Sequence, residues 1–285
     1  MADGVAIVRD GHRTMLKWHR GRKAIADLPF TGERILEGLR LGASVEVDLV
    51  RHADGGFAVL HDFSLDRDTT GSGLVKNTPA ATLRQLNLRD AAGRPTPHRP
   101  MLFEDLCALL ASGTLLAPDG ILQLDLKEED PVALGPREID TFATAVRPVA
   151  RHFILSGGSA RNVALLSDPV PDLTVGYDPC HDEAISQLLA SRDFAGFVAD
   201  AIAAAPRARM IYLEHQLVLR ASEIGFDLVA AYHAAGRKID AYTLKQATPE
   251  TAGIAEQLLA LKVDQITTDD PEALERLLQQ PAVSP

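Results

Sequence analysis

The stretch SVEVDLVRHADGGFAVLH (residues 44–61) holds two β-rich runs, SVEVDLV (44–50) and FAVLH (57–61), joined by only six residues with Asp54-Gly55 at their centre. A parallel crossover needs about a dozen residues or more, so this link predicts an antiparallel hairpin. Further strands are expected at 14–18, 121–127, 152–156, 173–177, 209–214, 238–243 and 265–268. Helical patterning over 31–41, 78–87, 101–112, 136–149, 182–192, 216–235 and 249–261 alternates with them. Strand–helix alternation argues for a parallel sheet. With the hairpin's return strand set aside, eight strands remain, the count of a closed (β/α)8 TIM barrel with one extra hairpin strand. No domain boundary is visible, so residues 1–285 are expected to form a single domain. The long connection over about 62–120, with its Pro-rich GRPTPHRP (93–100), is expected as a small insertion at the catalytic mouth.

The composition narrows the function. The chain has 29 Lys and Arg against 39 Asp and Glu, a formal charge of −10. So acidic a chain is a poor binder of phosphate backbones, and no nucleic-acid partner is expected. Cys107 and Cys180 are too few for a disulfide framework and suit a reducing compartment. The N-terminal residues lack the apolar run of a signal peptide, and no stretch approaches a membrane span of roughly 18 residues. A cytoplasmic location without stable membrane insertion is therefore expected.

Polar residues occupy strand positions that ought to be apolar. In SVEVDLV, Val45, Val47 and Leu49 face one way and Glu46 and Asp48 the other. In ILQLDLK (121–127), the leucines share one face and Gln123, Asp125 and Lys127 share the other. In a barrel the charged sets point to the axis, where unpaired carboxylates are costly. Convergence of Glu46, Asp48 and Asp125 is explained economically by a hard, oxygen-liganded cation, one Mg²⁺ or Ca²⁺. A hairpin centred between Asp54 and Gly55 would set His61 opposite Asp48. His19, at the end of the first barrel strand, is expected beside Glu46, with Arg20 alongside. Two histidines about a cation suit acid–base attack on a phosphate ester.

The segments WHRG (18–21), VEVDLV (45–50), FAVLHDFSLDRDTTGSGLV (57–75), PTPHRPMLFEDLCALL (95–110), LQLDLK (122–127) and the closing 238–274 resemble the glycerophosphodiester phosphodiesterase family. The resemblance implies a barrel phosphodiesterase with a divalent ion, acting on a small phosphodiester to give a glycerol 3-phosphate-type monoester and an alcohol. It implies Glu46, Asp48 and Asp125 as metal ligands, His19 and His61 as the acid–base pair, and Arg20 and Lys127 as phosphate contacts. A hydroxyl of the substrate or water would attack. Three positions depart from the family pattern. Leu28-Pro29-Phe30-Thr31 stands where the family has Pro-Glu-Asn-Thr, the third carboxylate is Asp125 rather than Glu, and Tyr242 replaces a closing Trp. These departures make Phe30 and Tyr242 candidates for the substrate pocket. They keep open a sugar- or opine-type substrate, a sphingomyelinase D-like lipid substrate, and an inactive binding protein on the same fold. The oligomeric state is not encoded in any of these features.

Overall fold

Alternation along the strands, carried around a full circle, generates the architecture. The structure, a computed structural model, describes residues 2–112, 115–129, 133–180 and 184–279. Its strands are β1 (Ala6–Arg9), β2 (His12–Trp18), β3 (Ser44–Arg51), β4 (Phe57–Val59), β5 (Ile121–Leu126), β6 (Phe153–Gly157), β7 (Thr174–Tyr177), β8 (Ala208–Glu214), β9 (Lys238–Leu244) and β10 (Gln265–Thr268). Among the described residues, β2, β3 and β5 to β10 form eight parallel strands, closed because β2 pairs with both β10 and β3. Helices stand between these strands, as expected of a TIM barrel. Of the helix expected over 182–192, residues 182 and 183 lie outside the described residues, and the observed helix is Ala184–Ser191.

The outward faces make the main core. Val45, Val47 and Leu49 of β3 and Leu122, Leu124 and Leu126 of β5 are buried in it under the helices. The helix Gly32–Leu41 packs close against β3 and Trp18. A Cβ on Gly38 would sit 2.7 Å from Val45 Cγ2 and 3.1 Å from the Trp18 ring, so only glycine permits this approach. The helix ends at Gly42 in the left-handed region, its N–H meeting the Gly38 and Leu39 carbonyls.

The inward positions, expected to be polar, are polar around much of the ring. Lys17, Gln123, Ser156, Tyr212, Asp240 and Thr267 form a layer across the barrel axis. Lys17 Nζ lies 2.9 Å from Asp240 Oδ2 and also donates to Gln123. Thr267 donates to Asp240 at 2.6 Å, and Gln123 donates to Ser156 at 2.8 Å. The Lys17 ammonium stands 4.4 Å from the centre of the Tyr212 ring. A lysine only 1% exposed survives in the core because each of its donors meets an acceptor or a π-face.

Two local expectations are corrected. An additional strand, β1, pairs antiparallel with β2 through the turn Asp10-Gly11, both at positive φ (49° and 75°). The expected pairing of Asp48 with His61 is displaced by one residue. The turn spans His52–Gly56: the His52 N–H donates to the Gly56 carbonyl (3.0 Å) and the Gly55 N–H to the His52 carbonyl (3.1 Å). Arg51 therefore faces Phe57, and Leu49 faces Val59. An odd-numbered turn shifts the register by one and would carry Leu60, not His61, to Asp48. β4 ends at Val59, two residues earlier than expected.

Beyond β4, the connection builds a small core of its own. Val50, Ala58, Leu60, Leu65, Val75, Leu83, Leu88 and Leu102 pack together, separate from the main core.

The polar layer yields a stability test. Lys17→Met strands the Asp240 carboxylate in the core and is expected to cost about 3–5 kcal/mol, read by denaturant unfolding. Adding Asp240→Leu removes the stranded charge and is expected to recover most of that loss. A single variant within about 0.5 kcal/mol of wild type would contradict the role given to this pair.

Candidate active site at the carboxyl end of the barrel

Glu46 and Asp48 are two apart on β3, so the pleat turns both to the axis. The register of β3 with β5 sets Asp48 beside Asp125. One oxygen from each of Glu46, Asp48 and Asp125 lies within 4.8 Å of the others. Glu46 and Asp48 are 4% and 1% exposed. Like charges this close and this dry repel strongly.

Two cations of the chain oppose that repulsion. Lys127 Nζ lies 2.8 Å from Asp48 Oδ1 and 2.6 Å from Asp125 Oδ2. Arg20 Nε stands 3.4 Å from Asp48 Oδ2, and the Arg20 backbone N–H donates to Glu46 Oε2 at 2.7 Å. This backbone contact depends on a left-handed turn, with Arg20 at φ 56° and Gly21 at φ 70°. The turn is tied from the other side, where Phe30 donates its N–H to the Arg20 carbonyl at 2.8 Å. Phe30 is itself at φ 62°, unusual for an aromatic residue.

Charge states follow from these contacts. Burial, then the charges of Asp48 and Asp125, push the Glu46 carboxyl well up from its ordinary range. Burial pushes Asp48 the same way, but Lys127, Arg20 and His61 outweigh it and hold the carboxylate low. Burial pulls Lys127 down, yet Asp125, Asp48 and Glu46 overcome it and keep the ammonium charged.

Both histidines are brought to this cluster. His19 Nε2 is 3.9 Å from Glu46 Oε2, while its Nδ1 is 2.5 Å from Asp269 Oδ1. Asp269 is held in turn by Arg22. Burial lowers the His19 pKa, and the pull of Asp269 only partly offsets this, so the neutral ring is favoured. His61 Nδ1 is 2.7 Å from Asp62 Oδ1, which also accepts from Arg67 at 2.9 Å. His61 lines the same cavity, delivered by the bend after β4 rather than by cross-strand pairing. An ionised carboxylate only accepts, so each Nδ1 carries the proton and each Nε2 is free to exchange one.

The cavity around these groups measures about 360 Å³. Lys17, Gln123 and Thr267 lie at its base, and Asp178, Tyr242, Thr243 and Lys245 line the remaining wall. Tyr242 donates its hydroxyl to Asp178 Oδ2 at 2.8 Å, and Asp178 Oδ1 accepts from the Cys180 N–H at 2.7 Å. Burial and then Asp178 push the Tyr242 hydroxyl well above its ordinary pKa.

Phe30, by contrast, is 2% exposed, sits in the main core and does not line the cavity. Its segment acts on the site indirectly, by bracing the Arg20 turn. Asp269, Asp62, Asp178 and Lys245 were not singled out from the sequence. Extending the two-residue alternation one step past the strand ends would have found two of them: Gln265, Thr267, Asp269 and Thr174, Gly176, Asp178.

The donor set suits a divalent cation. Glu46, Asp48 and Asp125 present only hard oxygens, and among the described residues they are the one cluster of three such ligands. Asp48 Oδ2 is buried without a hydrogen-bond partner. Burial first, and then the charges of Asp48 and Asp125, push Glu46 up, and a cation held between the three carboxylates would offset the charge part of that push.

The chain resembles known proteins in sequence and in fold. Residues 19–138 match the model of the Glycerophosphoryl diester phosphodiesterase family. No curated protein matches the sequence. Among solved structures, a glycerophosphoryl diester phosphodiesterase from Parabacteroides distasonis is 18% identical with a TM-score of 0.65, covering 97% of this chain and 90% of that one. A glycerophosphodiester phosphodiesterase from Agrobacterium tumefaciens is 20% identical with a TM-score of 0.63, over 94% of this chain and 100% of that one. An Oleispira antarctica phosphodiesterase, in complex with the product sn-glycerol-3-phosphate, is 18% identical with a TM-score of 0.62, over 93% and 96%. At these identities the solved structures establish the fold, and the family match spans the segment holding His19, Glu46, Asp48, His61, Asp125 and Lys127. On that match, set within this barrel, the chain is similar over residues 19–138 to the glycerophosphoryl diester phosphodiesterase family.

Proposed function

We propose that this phosphoric diester hydrolase cleaves a small glycerophosphodiester to a glycerol 3-phosphate-type monoester and an alcohol, using one Mg²⁺ or Ca²⁺ and the pair His19 and His61. The observation that carries the proposal is two imidazoles, each tied through Nδ1 to a carboxylate, beside a cluster of three carboxylate ligands in one cavity. The sn-glycerol-3-phosphate bound in the Oleispira antarctica phosphodiesterase supports the same product class.

Glu46, Asp48 and Asp125 would hold the cation. When bound, a divalent ion supplies positive charge that polarises a phosphoryl oxygen. The chain's own residues do the remainder. Arg20 and Lys127, already beside Asp48, stabilise negative charge growing on the phosphoryl oxygens. One imidazole takes the proton from the attacking oxygen, a substrate hydroxyl or water. The other gives a proton to the departing alcohol oxygen. Asp269 and Asp62 fix the tautomer of each ring and favour the imidazolium when it forms. Tyr242 and Asp178 line the wall where the alcohol group fits.

The cavity volume of about 360 Å³ suits a small substrate rather than a two-chain lipid. No described helix is long and apolar enough to cross a membrane. Cys107 and Cys180 are free and buried, which supports a reducing compartment. Because Phe30 lies in the core, the altered 28–31 segment lends no direct support to a sugar- or opine-type substrate.

Alanine at His19 or at His61 is expected to lower kcat by about 10² or more. Unchanged turnover of His61→Ala would remove it from the mechanism. Asp269→Asn is expected to lower kcat by about tenfold or more with little change in KM, because the ring loses its tautomer control. A rise in KM alone would assign Asp269 to substrate binding instead. Turnover of glycerophosphocholine, glycerophosphoethanolamine and an aryl phosphodiester is expected to vanish with a chelator and return with Mg²⁺ or Ca²⁺. Full activity in the chelator would contradict metal dependence. Binding without any turnover would favour a binding protein.

A further inference from the structure

The opposite end of the barrel carries a second cavity, of about 670 Å³. Its rim is formed by Arg13, Arg151, Arg209, Arg237 and Lys238, with Asp119 as the single carboxylate. The topology makes this convergence. Arg13, Arg209 and Lys238 lie at the starts of β2, β8 and β9, while Arg151 and Arg237 lie just before β6 and β9. At the base, the Ser44 hydroxyl donates to Gln265 Oε1 at 3.2 Å. The Lys17–Asp240 layer lies between this cavity and the catalytic one.

The charge balance here runs against the rest of the molecule. The chain carries −10, yet five cations meet one carboxylate around this opening. Asp119 lies 3.4 Å from Arg13, an exposed pair of little strength. Among the described residues, Arg151, Arg209, Arg237 and Lys238 take part in no ion pair, although acidic residues outnumber basic ones in the chain. Arg237 is anchored by its Nη2, which donates to the Pro206 carbonyl at 2.9 Å, and its Nε–H is buried with no acceptor. Clustered like charges do not stabilise a fold. They are compensated when an anion with several acceptor oxygens occupies the space between them. The volume falls in the range of small-molecule sites.

We propose that this basin binds one small polyanion of the oligophosphate or multiply phosphorylated metabolite class, at a site distinct from the catalytic cavity. Guanidinium groups on several sides match phosphate oxygens that bridge between them. A single phosphate monoester presents too few oxygens to engage the whole rim.

The test is calorimetric titration of the full chain with sodium tripolyphosphate, at physiological salt. Saturable binding at one site per chain is expected, with inorganic phosphate binding much more weakly. Arg209→Gln with Lys238→Gln, both exposed, is expected to weaken tripolyphosphate by about tenfold or more while phosphodiester turnover stays at the wild-type level. If that double variant misfolds by circular dichroism, Arg151→Gln with Arg209→Gln replaces it. Absence of saturable binding would overturn the proposal, as would equal affinity in the variants. Displacement of tripolyphosphate by glycerol 3-phosphate would also overturn it, because the ligand would then sit in the catalytic cavity. Sedimentation with phosphatidylglycerol vesicles, or capture of single-stranded DNA, in place of tripolyphosphate binding would assign the basin to a macromolecular surface and equally overturn it.

Discussion

Repulsion among Glu46, Asp48 and Asp125 is the constraint around which the upper barrel is organised. Their oxygens crowd within 4.8 Å, with Glu46 and Asp48 almost wholly buried. Removing charge by protonation alone would empty the site of ligands. The chain instead supplies Lys127 and Arg20 as counter-charges and leaves Asp48 Oδ2 without a hydrogen-bond donor. The geometry that imposes this cost is the pleat itself, since residues two apart on a strand share a face and neighbouring parallel strands place such pairs side by side. The leucines and valines between them hold the strands against the helices, so the carboxylates cannot turn away.

The same parity explains the layers. One step below Asp125, inward positions hold the buried Lys17, Gln123, Asp240 and Thr267 layer, tied together by an ion pair and hydrogen bonds. One step above that layer, level with Asp125, His19, Asp178 and Asp269 lie just past the ends of β2, β7 and β10, and Tyr242 lies on β9. Two departures from regular strand geometry serve the site. The left-handed Arg20 turn points a backbone N–H at Glu46, and the early end of β4 lets His61 swing to the mouth.

Much of this was legible in the sequence. The loop of six residues between 50 and 57 forced a hairpin and so fixed the strand count. The interrupted apolar pattern in SVEVDLV and ILQLDLK located the carboxylates. The turn's internal hydrogen bonding was not legible, and a one-residue difference there was enough to undo the predicted pairing of Asp48 with His61. Phe30 misled for a related reason. It was expected in the substrate pocket, but a large apolar ring gains more from the core than from a cavity open to water, and only its backbone reaches Arg20. Asp269 and Asp62 escaped notice because a residue that orients a histidine has no pattern of its own. It is recognised by the atom it faces.

Calorimetric titration of the chelator-stripped protein with Mg²⁺ and Ca²⁺ tests the central claim most directly. One ion is predicted to bind per chain, with binding lost when Glu46 is changed to Gln or Asp125 to Asn. No heat of binding in the wild-type protein, or undiminished affinity in both variants, would contradict a shared ion at the meeting point of these carboxylates.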